Sequence, residues 1–137
     1  MKLIYSKIDP DKLLHIIHRF NEISDRTDVC PPEKFIQLAT LKMDQGKTFK
    51  PHKHIFKDGE KEVIAQESWV VIQGSVKVIL YDLDDQIIAE EVINKGDCSI
   101  TFEGGHNYYI LEDDTVVYEY KTGPYKGQAL DKEFIND

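Results

Sequence analysis

Cysteine is scarce in this 137-residue chain, and its two copies, Cys30 and Cys98, stand far apart outside any C-x-x-C or zinc-ribbon spacing. That excludes a disulfide framework and a thiolate metal site. Cys98 alternates with Ile100 and Phe102, which predicts a small buried thiol. Long apolar runs are missing too. The opening residues, Met1 to Pro10, carry charges within the first ten positions, so they read as neither a signal peptide nor a membrane span, and a cytoplasmic location is the default expectation. Basic clusters are absent: 17 Lys and Arg stand against 25 Asp and Glu, a net charge of -8 that would repel a phosphate backbone. Nucleic acid and membrane are therefore not expected partners. Gly (8) and Pro (5) are too few for a low-complexity or disordered chain, and the length suits one domain, 1–137.

What is present changes character along the chain. Asp9-Pro10-Asp11 can cap and open a helix, and Leu13, Leu14, Ile16, Ile17, Phe20 and Ile23 follow at helical spacing. An amphipathic helix over about 10–24 is predicted, inside an N-terminal helix and arm covering 1–34. His15 and His18 fall on its polar side and read as solvated. After Pro31-Pro32 the period shortens to two. Short runs rich in β-branched and aromatic residues (35–43, 68–81, 86–93, 97–102, 107–111 and 115–121) are separated by turn sequences such as Asp44-Gln45-Gly46 and Asn94-Lys95-Gly96-Asp97. Six or more antiparallel strands over 35–122 point to a sandwich or barrel. The segment 123–137, opened by Gly123-Pro124, reads as a surface arm.

Three of the five histidines lie in the strand region. His52 and His54 are two residues apart, so in a strand both face the same way and can share one ion. Five residues separate Gly46 from His52, Glu67 is followed by six residues and Gly74, and Gly96 opens a second turn leading through Gly104-Gly105 to His106. This arrangement resembles the two motifs of the cupin superfamily, over roughly 41–121. The resemblance implies an all-β cupin double-stranded β-helix, a jelly-roll barrel, here with the short N-terminal α-helix. It also implies one divalent ion held by His52, His54, Glu67 and His106. There are departures. Twelve residues separate His54 from Glu67 where the motif has three or four, so an inserted hairpin or loop tipped by Asp58-Gly59 lies between the ligand strands, and Glu60 or Glu62 within it is an alternative carboxylate. Phe102 stands where the motif has Pro, and His106 arrives one residue early, leaving a hydrogen-bonded structural histidine as its alternative role. Three imidazoles and a carboxylate suit Zn, Fe, Mn or Ni.

The ending Tyr118-Glu119-Tyr120-Lys121-Thr122-Gly123-Pro124-Tyr125, followed by Asp131-Lys132-Glu133-Phe134, together with Pro51-His52-Lys53-His54, resembles the WbuC-type cupin-fold metalloproteins. Those are associated with gene clusters for O-antigen and other surface polysaccharides. The resemblance implies a sugar or nucleotide-sugar ligand, and the leading reading of the residues is an isomerase- or epimerase-like reaction in which the ion holds substrate oxygens and a nearby Glu, Lys or Tyr moves protons. A non-catalytic metal-dependent sugar-binding module and an iron-dependent dioxygenase are the competing readings. On the last strand Val117, Glu119 and Lys121 share one face, and Val116, Tyr118 and Tyr120 the other. If the first face looks inward, Glu119 and Lys121 can serve as acid and base; if the second does, they form a solvated pair. Tyr108 shares parity with His106 and either lines the site or packs in the core. A homodimer is expected, built on the N-terminal segment.

Overall fold

The computed structural model describes residues 1–55, 64–124 and 127–135. Among them the chain forms strands β1 (Lys2–Tyr5), β2 (Leu13–Ile17), β3 (Arg26–Asp28), β4 (Ile36–Met43), β5 (His52–His54), β6 (Glu67–Gln73), β7 (Ser75–Tyr81), β8 (Ile87–Asn94), β9 (Cys98–Thr101), β10 (Gly105–Ile110), β11 (Thr115–Thr122) and β12 (Lys132–Phe134). One turn of helix, α1 (Gln128–Asp131), precedes β12. Two five-stranded sheets, ordered β3-β4-β11-β6-β9 and β12-β5-β10-β7-β8, share one core. From β4 onward the chain passes back and forth between the two sheets, as a jelly roll requires. No helix among the described residues is long and apolar enough to cross a membrane.

The 68–81 run is two strands in opposite sheets, and Gly74 is the corner between them. It sits at φ +88°, and a Cβ there would come within 2.8 Å of the Thr115 Cα, so a side chain is excluded on both counts.

Register stacks the interior into rows. In the first sheet Glu67 faces Lys121 and Thr101, Trp69 faces Glu119 and Ser99, and Val71 faces Val117, which faces Leu41. In the second sheet His106 lies opposite His52 and Leu80, Tyr108 opposite Val78, and Ile110 opposite Val76. Directly opposed residues share a face. The barrel interior thus runs from an apolar end at Val71, Val76, Ile110 and Val117, all at most 1% exposed, to a polar end at His52, Glu67 and His106.

Two expectations fail at the ends of the chain. The 10–24 helix is instead the second arm of a hairpin, β1 against β2, with Leu3 opposite Ile16 and Ile4 opposite His15. Asp9-Pro10-Asp11 makes its turn: the Ser6 Oγ accepts from the N–H groups of Ile8 and Asp9, and the Lys12 N–H donates to the Asp9 carbonyl. The apolar spacing there fits either period, and the paired strand decides between them. Phe20–Glu22 keeps one 3-10 turn of the expected helix. His15 is exposed as expected, but the His18 ring packs over β4, its Nε2 3.1 Å from the Thr40 Oγ1. The described residues of the 123–137 segment do not form a surface arm. Its β12 pairs with β5, and Asp131 and Ile135 are buried.

Candidate metal centre and cavity

β5 and β10 pair so that His106 lies opposite His52, while β6 of the other sheet delivers Glu67 across the interior. The side chains of His52, His54, Glu67 and His106 are all buried, and one ligand atom from each lies within 4.8 Å of the other three. The Glu67 Oε2 is 2.7 Å from the His54 Nε2 and 3.2 Å from the His106 Nε2. The His106 Nε2 is in turn 3.1 Å from the His52 Nε2. The three rings therefore aim the same nitrogen at one point.

The other nitrogen of His52 and of His106 is hydrogen-bonded, and that of His54 faces a carboxylate without a hydrogen bond. The His52 Nδ1–H donates to the Lys50 carbonyl (3.1 Å), the His54 Nδ1 faces the Asp131 Oδ2 (3.3 Å), and the His106 Nδ1 lies 3.0 Å from the Thr101 Oγ1 and 3.2 Å from the Tyr108 hydroxyl. The Lys50 carbonyl can only accept, which fixes the His52 tautomer with its Nε2 lone pair free, whereas the hydroxyls beside the His106 Nδ1 can donate or accept. The donor set fits a borderline first-row divalent ion. Glu60 and Glu62, the alternative carboxylates, lie outside the described residues.

The charges of the group are uneven. Burial opposes ionisation of Glu67, yet hydrogen bonds from His106 and His54 hold its carboxyl well below the usual range. Burial also works against a charged His54, but Asp131 and Glu67 outweigh it and raise the ring to about 9. His52, desolvated and beside His106 and Lys132, falls to about 4.

β11 turns Val117, Glu119 and Lys121 inward, and Tyr120 outward. Glu119 and Lys121 therefore line, with His52 and His54, a cavity of about 470 Å³. The Trp69 Nε1–H stands between two carboxylates, 3.1 Å from the Glu67 Oε1 and 3.0 Å from the Glu119 Oε2. Burial and the neighbouring Glu67 charge raise the Glu119 carboxyl, although Arg26, 3.2 Å away, counteracts part of this. The Lys121 Nζ lies 3.4 Å from the Asp131 Oδ2. Tyr108 lines the cavity and is also core: its ring stacks on Trp69 at 3.6 Å, and burial lifts its phenol well above the ordinary range.

Arg26, Trp69, Thr101 and Asp131 escape a reading by motif. Parity could have found Trp69, two residues beyond Glu67 on the same strand face. Asp131 stands in the quoted ending, where nothing in the sequence shows that it folds back. Cys98 is exposed, not buried, because β9 turns Ser99 and Thr101 toward the site and Cys98, Ile100 and Phe102 away from it.

No family model matches the chain, and no curated protein matches it in sequence. Solved structures do match in shape. KdgF from Halomonas sp. aligns with a TM-score of 0.55 at 22% identity, over 71% of this chain and 77% of its own. The capsular polysaccharide assembling protein CapF from Staphylococcus aureus aligns with a TM-score of 0.65 at 19% identity over 82% of this chain. Oxalate decarboxylase from Bacillus subtilis aligns with a TM-score of 0.57 at 14% identity over 80% of this chain. The match spans only 29% of the CapF chain and 27% of oxalate decarboxylase. With the sheet topology, these similarities give the architecture of the chain as the cupin jelly roll.

Proposed function

We propose that the chain binds one divalent metal ion through His52, His54, Glu67 and His106 and acts on a sugar-like small molecule in the adjoining cavity. The observation that carries this reading is the convergence of three Nε2 atoms and a carboxylate oxygen on one point, with the Nδ1 atoms of His52 and His106 hydrogen-bonded behind it and that of His54 facing Asp131. A cavity of about 470 Å³ suits a small molecule. The resemblance to WbuC-type proteins and the shape similarity to a capsular polysaccharide assembling protein both support a place in surface-polysaccharide synthesis.

The ion, when bound, supplies a Lewis acid that polarises a ligand oxygen. The protein's part is proton handling. Glu67 is held anionic as a donor, whereas burial and the Glu67 charge raise the Glu119 carboxyl, so Glu67 serves as ligand and Glu119, ionised beside Arg26, takes the substrate proton and returns it as the acid. Trp69 sets their spacing, Lys121 adds positive charge beside the acid, and the protonated Tyr108 phenol supports His106. This assignment suits an isomerase or epimerase, which moves a proton beside a polarised carbonyl. The ion pair of Glu119 with Arg26 favours the second reading, a sugar-binding module without turnover.

Deuterium exchange from heavy water into candidate sugars and nucleotide-sugars, followed by NMR, separates the two. Exchange is expected with metal-loaded protein and is expected to vanish after chelation and in Glu119→Gln. Ligand binding without exchange would favour the module, and equal binding after chelation would contradict both. The reading includes a homodimer, supported by exposed Leu3, Tyr5, Leu14 and Ile17 on the β1–β2 hairpin. Light scattering at monomer mass would refute it.

A further inference from the structure

Three flexible cationic side chains line the cavity, from Arg26, Lys121 and Lys132, and they differ in what holds them. Arg26 lies 3.2 Å from both Asp28 and Glu119. Lys121 faces Asp131. Lys132 makes no ion pair or side-chain hydrogen bond among the described residues, although acids outnumber bases in the chain by eight. It is half-buried, and a partly desolvated ammonium without an anion is unfavourable.

Its place is set by backbone pairing. Lys132 on β12 lies directly opposite His54 on β5, as Phe134 lies opposite His52, and opposed residues share a sheet face with Cα atoms roughly 5 Å apart. The side chain therefore stands beside the histidines on the cavity face. Lys53, the intervening residue, points the other way to Asp85 and Glu133. With an ion bound, its two charges and those of Arg26, Lys121 and Lys132 would outnumber the four carboxylates around them, Asp28, Glu67, Glu119 and Asp131, by one. A concave site with surplus positive charge concentrates anions.

We infer that Lys132 is the binding residue for an anionic group, a carboxylate or a phosphate, on the small molecule that occupies the cavity. The inference rests on the proposed metal site and narrows its ligand to acidic sugars, sugar phosphates or similar oxyanions able to reach Lys132 and the ion together.

The test is calorimetric titration of zinc-loaded protein with glucuronate, glucose 1-phosphate and glucose, with the metal content of the same samples measured. Wild type is expected to bind at least one anionic probe about 10-fold or more tighter than glucose, the size of one charge-assisted hydrogen bond. Which anion wins distinguishes carboxylate from phosphate. Lys132→Met is expected to abolish that preference at unchanged metal content, and Lys132→Arg to keep most of it. Failure of wild type to bind either anion, equal binding of anions and glucose, or a preference that survives Lys132→Met would overturn the inference. Wild type that takes up no metal yet keeps a Lys132-dependent preference would overturn the metal reading alone.

Discussion

At one end of the barrel interior Val71, Val76, Ile110 and Val117 face inward, and at the other Glu67, His106 and Lys121 lie four positions along the same strands as Val71, Ile110 and Val117, joined by His52 from β5 and Thr101 from β9. The apolar end follows the ordinary rule that a strand's hydrophobic face is its core face. The polar end inverts it. β9 turns Ser99 and Thr101 in and leaves Ile100 57% exposed, and β11 turns Glu119 and Lys121 in and leaves Tyr120 partly exposed. One end carries stability and the other holds a site, and single strands cross from one regime to the other within five residues.

The largest expected effect is at the polar end. His106→Ala should lose essentially all bound metal in elemental analysis while keeping its far-UV circular dichroism, because the apolar rows remain intact. A variant that retains stoichiometric metal would contradict the ligand assignment. At the opposite end, Ile110→Ala should lower unfolding free energy by about 3 kcal/mol in denaturant titration and leave metal content per folded molecule unchanged. Loss of metal there would mean that the two ends are not separable.

Asp131→Asn sharpens the comparison from the strap that closes the polar end. Asp131 meets both the His54 Nδ1 and the Lys121 Nζ, so the variant should bind metal about 10- to 100-fold more weakly in competition with a chelator. Unchanged affinity would reduce Asp131 to a packing role.

The smallest effect is a pH dependence confined to the polar end. His54, raised from 6.5 to about 9, stabilises the metal-free fold fully below pH 6.5 and loses that contribution as pH rises through 9. His52, lowered from 6.5 to about 4, contributes above pH 6.5 and loses it as pH falls toward 4. The melting temperature of chelated protein should therefore peak near pH 6.5, and the gap to metal-loaded protein should widen toward pH 9. A chelated protein whose melting temperature keeps rising to pH 9 would contradict the His54 environment.

The same contrast explains what could be read from sequence. The strand core was legible because alternation and turn residues are local, and the shared face of His52 and His54 was legible because residues two apart in a strand point the same way. The N-terminal hairpin was not, since Leu13 to Ile17 fits either period and its partner strand, Lys2–Tyr5, lies across a seven-residue turn. Nor was the C-terminal strap, whose Asp131 and Lys132 gain their surroundings by pairing with a strand some 80 positions earlier. Cys98 misled because hydrophobic alternation identifies two faces without saying which one meets the core, and at a polar site the usual choice is reversed.

Metal content of wild-type protein, purified without added metal and then exposed in turn to Zn, Fe, Mn and Ni, tests the central claim most directly. The account predicts about one equivalent of at least one of these ions, displaced by chelator and absent from His52→Ala. Folded wild-type protein that takes up none of them would contradict it.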